Sequence, residues 1–285
     1  MVYGYYPGCA LHGSSKEYDL SVREVYWSLG LELRELDDWN CCGASPAHWM
    51  GEELSLALCQ RNINRAAAAG LSVIMAPCAA CYNRFRIALW TLREDPQKRE
   101  RIKEALGEEP KLELQVVHLV DMLHEEIPED FRPVKPLRGL KVACYYGCLF
   151  LRPPKVVTDE PDPENPTKME EVSRRVGAEP IEWPQKTCCC GASAGVTDTS
   201  KTKELVSRIV LGAKKRGADL IVVACPLCQV NLDTRQGALG VPIIYISQLV
   251  GLAMGKGPKE LGLDRHMVDP RPVLEAKGVI EGWRI

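Results

Sequence analysis

Cysteine spacing repeats along this chain, and the repeat constrains the fold more than any other feature. The first half reads Gly8-Cys9, then Cys41-Cys42-Gly43, then Pro77-Cys78-Ala79-Ala80-Cys81; the second reads Gly147-Cys148, then Cys189-Cys190-Gly191, then Cys225-Pro226-Leu227-Cys228. The interval from pair to CxxC differs by one residue between the halves, whereas the interval from lone cysteine to pair is nine residues longer in the second. The extra nine fall in the Pro- and Asp-rich stretch from Arg152 to Pro166, which reads as an inserted loop with a wet, charged surface from Lys155 to Glu164. Internal duplication of this kind predicts two tandem lobes related by pseudo-symmetry.

The flanks repeat as well. Strands are expected over Val2–Tyr6 and Leu140–Tyr145, leading to the lone cysteines, then helices near Ser15–Leu29 and Lys168–Arg175, with Gly30 and Gly177 where helix-terminating glycines belong. Leu31–Leu36 and Glu179–Trp183 are candidate strands before the pairs. Glu52–Ala69 and Lys201–Lys215 have helical periodicity. Leu71–Ala76 and Leu220–Ala224 suit buried parallel strands, each running into a CxxC, and Leu114–His118 and Val241–Ile246 are strands followed by short apolar helices. Each half alternates β and α, so the fold class is α/β, with parallel sheets covered by helices and cysteine clusters at strand ends. The expected divisions are a first cysteine-rich domain over 1–136, a second over 137–264, and a C-terminal extension over 265–285 whose Trp283-Arg284-Ile285 end could dock on a partner; the Pro-rich stretch from Glu126 to Leu137 forms the boundary.

Thirteen cysteines cannot all pair as intrachain disulfides, and no export signal opens the sequence, so ligation or redox work is the expected use. A cytoplasmic location follows from the same reading. The 36 basic and 38 acidic residues nearly balance, which argues against a nucleic-acid binder, and no apolar run is long enough to span a bilayer. A CxxC at a strand-to-helix turn sets two thiols beside free helix N–H groups, which stabilise thiolates. Adjacent cysteines point to opposite faces of an extended chain, so sharing one site requires the sharp turn that Gly43 and Gly191 permit; a vicinal disulfide is the competing reading. Five cysteines per half exceed the four that a tetrahedral zinc or an ordinary cubane cluster takes. Either one thiol per half is redox-active or the cluster has another shape.

Two cysteine-rich halves, each with Cys-Cys-Gly and a downstream CxxC, resemble the CCG repeats of the heterodisulfide reductase B subunit family. Tyr5-Tyr6-Pro7-Gly8-Cys9 and the stretch from Tyr145 to Pro153 resemble that family's own sequences. The resemblance covers about residues 1 to 260, and no ferredoxin-type C-x₂-C-x₂-C-x₃-C-P segment accompanies it. It implies two noncubane [4Fe–4S] clusters, one held by Cys9, Cys41, Cys42, Cys78 and Cys81, the other by Cys148, Cys189, Cys190, Cys225 and Cys228. It implies a complex with a flavin-bearing A subunit and a ferredoxin-like C subunit, and an oxidoreductase of methanogenesis or other anaerobic energy metabolism that reduces a disulfide such as that of coenzymes M and B. Cleaving a disulfide takes two electrons, so two clusters facing one pocket could each supply one and each receive a departing sulfur, with Cys42, Cys81, Cys190 and Cys228 carrying the reactive centres.

Other readings stay open: an electron-transfer module that touches no substrate, a sulfur-oxidation subunit running the reverse chemistry, and zinc in one half. Outside the repeat, Cys59 is expected to pack in a helix, Cys144 to face the core, and Cys188 to extend the second pair. His12 and His48 are polar loop residues or pocket-lining proton donors. Arg84, Arg86 and Arg235 are solvated helix charges or contacts for an anionic substrate tail; Met50 and Met75 are expected in the core.

Overall fold

The computed structural model describes residues 2–44 and 47–281. The first half contains β1 (Val2–Tyr5), α1 (Gly8–His12), α2 (Lys16–Ser28), β2 (Glu32–Glu35), α3 (Ala47–Met50), α4 (Glu52–Ala68), β3 (Val73–Met75), α5 (Ala79–Glu94), α6 (Pro96–Leu106), β4 (Gln115–Val117) and α7 (Leu119–Glu126). The second contains β5 (Lys141–Tyr145), α8 (Pro154–Val157), α9 (Lys168–Arg175), β6 (Glu179–Pro180), α10 (Thr199–Lys215), β7 (Leu220–Val223), α11 (Pro226–Arg235), β8 (Ile243–Tyr245), α12 (Ile246–Ala253) and α13 (Arg271–Ala276).

Each half builds one four-stranded sheet, in the orders β2-β1-β3-β4 and β6-β5-β7-β8, with every pair parallel. The α/β class and its tandem repeat are therefore present as the duplicated sequence required. The apolar runs Val73–Met75 and Leu220–Val223 form buried central strands, as their lack of alternation demands. Chain order reverses between β1 and β3, and between β5 and β7. At such switch points the helices leave to opposite faces and a crevice opens beyond the carboxyl ends of the strands. The cysteine motifs follow β1 and β3, and β5 and β7, so both sets of thiols stand at these crevices.

The halves pack reciprocally: α2 of the first lies on α12 of the second, while α9, the repeat of α2, lies on α7, the repeat of α12. Ser21 and Ser247 meet Oγ to Oγ at 2.7 Å across one contact, and Lys168 donates to Asp121 at 2.5 Å across the other. Exchanging equivalent surfaces in this way is how a two-fold interface closes on itself. The buried apolar side chains of both halves join in one continuous core.

One expectation is corrected and two are refined. Glu179–Trp183 gives only a two-residue strand, because Pro180 and Pro184 remove ladder donors. The Arg152–Pro166 insertion has the expected exposed charges at Lys155, Asp159, Asp162 and Glu164, but it is not all loop: it contains α8, and Val157 and Glu160 are buried. The Leu149, Arg152, Val156 and Val157 carbonyls in and just before it accept from Asn83, Arg86 and Tyr82 of α5. The chain after residue 257 folds back on the second half, with Leu261, Leu263, Leu274, Val279 and Ile280 buried and Asp233 accepting from the Met267 and Val268 amides. The Trp283-Arg284-Ile285 end lies outside the described residues.

Candidate metal centre

In each half a tyrosine at the end of the first strand fixes the turn that presents the lone cysteine. Tyr6 donates its hydroxyl to Asn40 O at 2.8 Å, and Tyr145 donates to Cys188 O at 2.6 Å. Both acceptors immediately precede a Cys-Cys pair, so one buried phenol per half joins the lone-cysteine turn to the pair. Gly8 and Gly147 follow with φ of 66° and 69°. A Cβ there would stand 3.3 Å from Cys81 Sγ or 3.1 Å from Cys228 Sγ, so these positions need glycine for conformation and for clearance.

The pairs turn as their glycines allow, with φ of 73° at Gly43 and 79° at Gly191. The first member of each pair accepts from the glycine amide: Gly43 N to Cys41 Sγ at 3.5 Å, Gly191 N to Cys189 Sγ at 3.3 Å. The second member turns inward to its CxxC. Cys42 Sγ lies 3.3 Å from Cys81 Sγ, and Cys190 Sγ lies 3.5 Å from Cys228 Sγ. Cys78 and Cys225 cap the N-termini of α5 and α11, where free amide groups favour negative sulfur. The residues just before these two cysteines share one hydroxyl, with Tyr18 Oη 3.0 Å from Pro77 O and 3.4 Å from Ala224 O, so the two CxxC turns lie side by side across the pseudo-axis. Cys9, Cys41 and Cys189 reach the surface and Cys148 is half-buried, while the remaining six are buried.

Crowding sets the acidities. Cys42 is held well below the ordinary thiol range, first by its hydrogen bond with Cys41 and then by that with Cys81. Cys225 is likewise low, through Cys228 and Cys78, and Cys189 falls to about 6 through Cys148. The sulfurs that keep the shared protons, Cys41, Cys78, Cys81, Cys148 and Cys228, are pushed up by these same hydrogen bonds and by burial.

The five second-half cysteines share a single cavity of about 60 Å³: Cys148, Cys189, Cys190, Cys225 and Cys228 line it, with Ala79 of the first half closing one side. Among the described residues no three His, Cys, Asp or Glu side chains gather round a single ion-sized point. Soft sulfur donors distributed around a cavity, with no carboxylate or imidazole among its lining residues, fit a group with several iron atoms.

Residues 3–86 and 142–233 match a family described as CCG, the cysteine-rich domain. The chain belongs to this cysteine-rich family. Proteins similar to it include the 8-methylmenaquinol:fumarate reductase membrane anchor subunit of Wolinella succinogenes, 33% identical over 279 residues, covering 94% of this chain and 97% of that one. The B subunit of a ferredoxin/F(420)H(2)-dependent CoB-CoM heterodisulfide reductase from Methanosarcina acetivorans is 28% identical over 278 residues, covering 92% of each chain. The resemblance to heterodisulfide reductase B subunits therefore runs through most of the chain. A hypothetical protein from Helicobacter pylori shares the fold, with a TM-score of 0.76 at 14% identity; the match covers 94% of this chain and 52% of that one, so this chain spans about half its length. Among the described residues no helix is long and apolar enough to cross a membrane.

The remaining candidates separate. Cys59 is buried in α4 and donates to Cys42 O at 3.4 Å; Cys144 is buried beside Ser173 Oγ. Cys188 is half-buried at the place Asn40 takes in the first half. His12 pairs with Glu35 at 3.0 Å and does not line the cysteine cavity; His48 is exposed on α3. Arg86 binds Val156 O and Asp159, and Arg235 binds Asn231 Oδ1 and Gly195 O, so both are structural. Met75 is core, but Met50 is 77% exposed, a correction that follows from its place on the short α3. Sequence reasoning missed Tyr6 and Tyr145 as supports for the site. Their signal was a tyrosine repeated two positions before the glycine of each Gly-Cys step.

Proposed function

We propose that this protein is the iron–sulfur catalytic subunit of a heterodisulfide reductase-like complex, reducing a small-molecule disulfide to two thiols. The observation that carries the reading is the side-by-side placing of the two CxxC turns, whose preceding carbonyls share the Tyr18 hydroxyl, beside a cavity lined by five thiols. Cys9, Cys41, Cys42, Cys78 and Cys81 would hold one noncubane [4Fe–4S] cluster, and Cys148, Cys189, Cys190, Cys225 and Cys228 the other. When bound, such clusters supply single electrons and iron sites for sulfur.

The chain's own residues do the positioning. The α5 and α11 N-termini bring Cys78 and Cys225 together, and Tyr6 and Tyr145 keep each lone cysteine aligned with its pair. Ala79, Leu149, Ala192 and Leu227 give the thiol-lined cavity apolar walls that keep water from the cluster it would hold. Reduction consumes two electrons and two protons and yields two thiols. A ferredoxin-like subunit and a flavin-bearing subunit would deliver the electrons, in a cytoplasmic complex.

The relative from Wolinella favours a second reading, in which the clusters pass electrons within a quinol-linked complex. Anaerobic preparation with iron and sulfide analysis, EPR, and a panel of disulfides with a reduced viologen as donor distinguishes the two. The proposed function predicts about eight iron atoms per chain and turnover of at least one disulfide. Iron-loaded protein that passes electrons to a dye yet leaves every disulfide intact supports the relay, and an iron-poor preparation after reconstitution ends both readings.

A further inference from the structure

Arg84 and Asn231 occupy equivalent places, each three residues beyond the second cysteine of its CxxC, on α5 and α11. Residues three apart share a helix face, so both stand on the side that carries Cys81 or Cys228. Asn231 shows where that position aims: its Nδ2 donates to Cys190 O at 3.2 Å and lies 3.9 Å from Cys190 Sγ. In the first half the same place belongs to a longer, permanently charged side chain, three residues beyond Cys81, whose Sγ lies 3.3 Å from Cys42 Sγ. Arg84 donates only to Asn83 Oδ1, at 2.9 Å, and no carboxylate pairs with it among the described residues.

Arg152 and Arg235 of the second half are already committed. Arg152 is clamped by Glu164 at 2.8 and 2.7 Å on the exposed rim. Arg235 donates to Asn231 Oδ1 at 3.0 Å and Gly195 O at 3.1 Å, so it reaches Cys190 only through a neutral amide. A full charge interacts with a nearby anion more strongly than an amide dipole does, and partial burial weakens screening.

We propose that Arg84 makes the two cysteine-held centres electrostatically unequal, giving the first-half centre the higher reduction potential so that it takes its electron ahead of the second. This rests on reading each half as an iron–sulfur site. Reduction adds negative charge, which the unpaired guanidinium stabilises in the first half alone. An electron entering through the second half therefore runs downhill toward Cys42 and Cys81.

The test is an EPR-monitored redox titration of the full chain, loaded and kept free of oxygen. Wild type should show two midpoints. R84Q should lower the higher one and leave the other in place, and R84K should restore it. C190A, which removes one ligand of the second group, should leave the higher midpoint as the survivor. N231D is close in size and adds a negative charge beside Cys190, so it should lower only the lower midpoint; it keeps the test intact if R84Q folds poorly. Unmoved midpoints in iron-replete R84Q and N231D overturn the proposal while leaving the iron–sulfur reading standing. Iron-poor protein in every form, wild type included, overturns that reading and this one with it.

Discussion

Between the lone cysteine and its pair, the first half runs through α1 directly into the thirteen-residue α2, whereas the second half inserts a strap and then starts the eight-residue α9. The first half keeps a full helix against α12. The second gives up part of that helix and gains backbone carbonyls that lie over α5. The supports of the cysteine turns differ too. Two residues before Cys188, Lys186 is buried, with its Nζ on Pro166 O at 2.7 Å and Glu170 at 3.1 Å, while Tyr146 donates to the same carboxylate at 2.5 Å. The matching first-half residue is Asp38, exposed and paired with Arg61 and Arg65. A shared backbone plan has thus been braced internally in one lobe and at the surface in the other.

The largest effects should come from the thiols common to both halves. C42A and C190A should each lose about half of the bound iron, and each should abolish disulfide reduction; iron analysis and the viologen assay check this. Equal loss of all iron from either variant would mean the halves load as one unit. The internal brace comes next. K186M strands Glu170, whose carboxyl burial already pushes up, and should cost about 3–5 kcal/mol, read as a lower melting temperature. D38A should cost well under 1 kcal/mol, roughly the worth of exposed pairs. Similar losses for the two would erase the contrast.

Acid should act through one buried histidine in each half, His118 and His266. Burial holds the His266 imidazole at about 4, below its ordinary 6.5. Between those values the unfolded chain binds a proton that the folded chain refuses, so stability present above pH 6.5 is lost as pH falls toward 4, at up to about 1.4 kcal/mol per unit. Melting temperatures across this window should lose about half of their pH slope in H266Q, the remainder belonging to His118, which burial also holds at about 4; an unchanged slope would assign the acid loss elsewhere. Smaller again, N83A leaves the Leu149 and Arg152 carbonyls without their donor and should cost about 2 kcal/mol, seen as a lower denaturant midpoint.

The repeat was legible because glycine and cysteine positions are dictated by local chemistry: positive φ at Gly43 and Gly191, and N-terminal thiols at Cys78 and Cys225, need no distant partner. Helix α6 carries strong local signals too, with Asp95 accepting from the Gln97 and Lys98 amides, Pro96 at the first turn and Gly107 at the end. It stands outside the duplicated pattern, so the repeat does not point to it. The strap was illegible for a different reason. Its composition is that of a loop, and only α5, far away in sequence, supplies the donors that bury it. Arg84 and Asn231 were hard to compare from sequence alone, because their difference matters only once both are seen on the same face of equivalent helices.

Tyr18 joins the lobes at one atom. Its hydroxyl lies 3.0 Å from Pro77 O and 3.4 Å from Ala224 O, the residues just before the two CxxC motifs, and its ring stacks on Tyr245 at 3.9 Å. His118 Nδ1 accepts from Val120 N, so the proton sits on Nε2, which is buried without a hydrogen-bond partner among the described residues. One phenol proton cannot fully serve both acceptors at once. A severed lobe would thus carry half of a seam, with an aromatic face and a lone carbonyl turned to water, and would survive best by seeking a twin to close it.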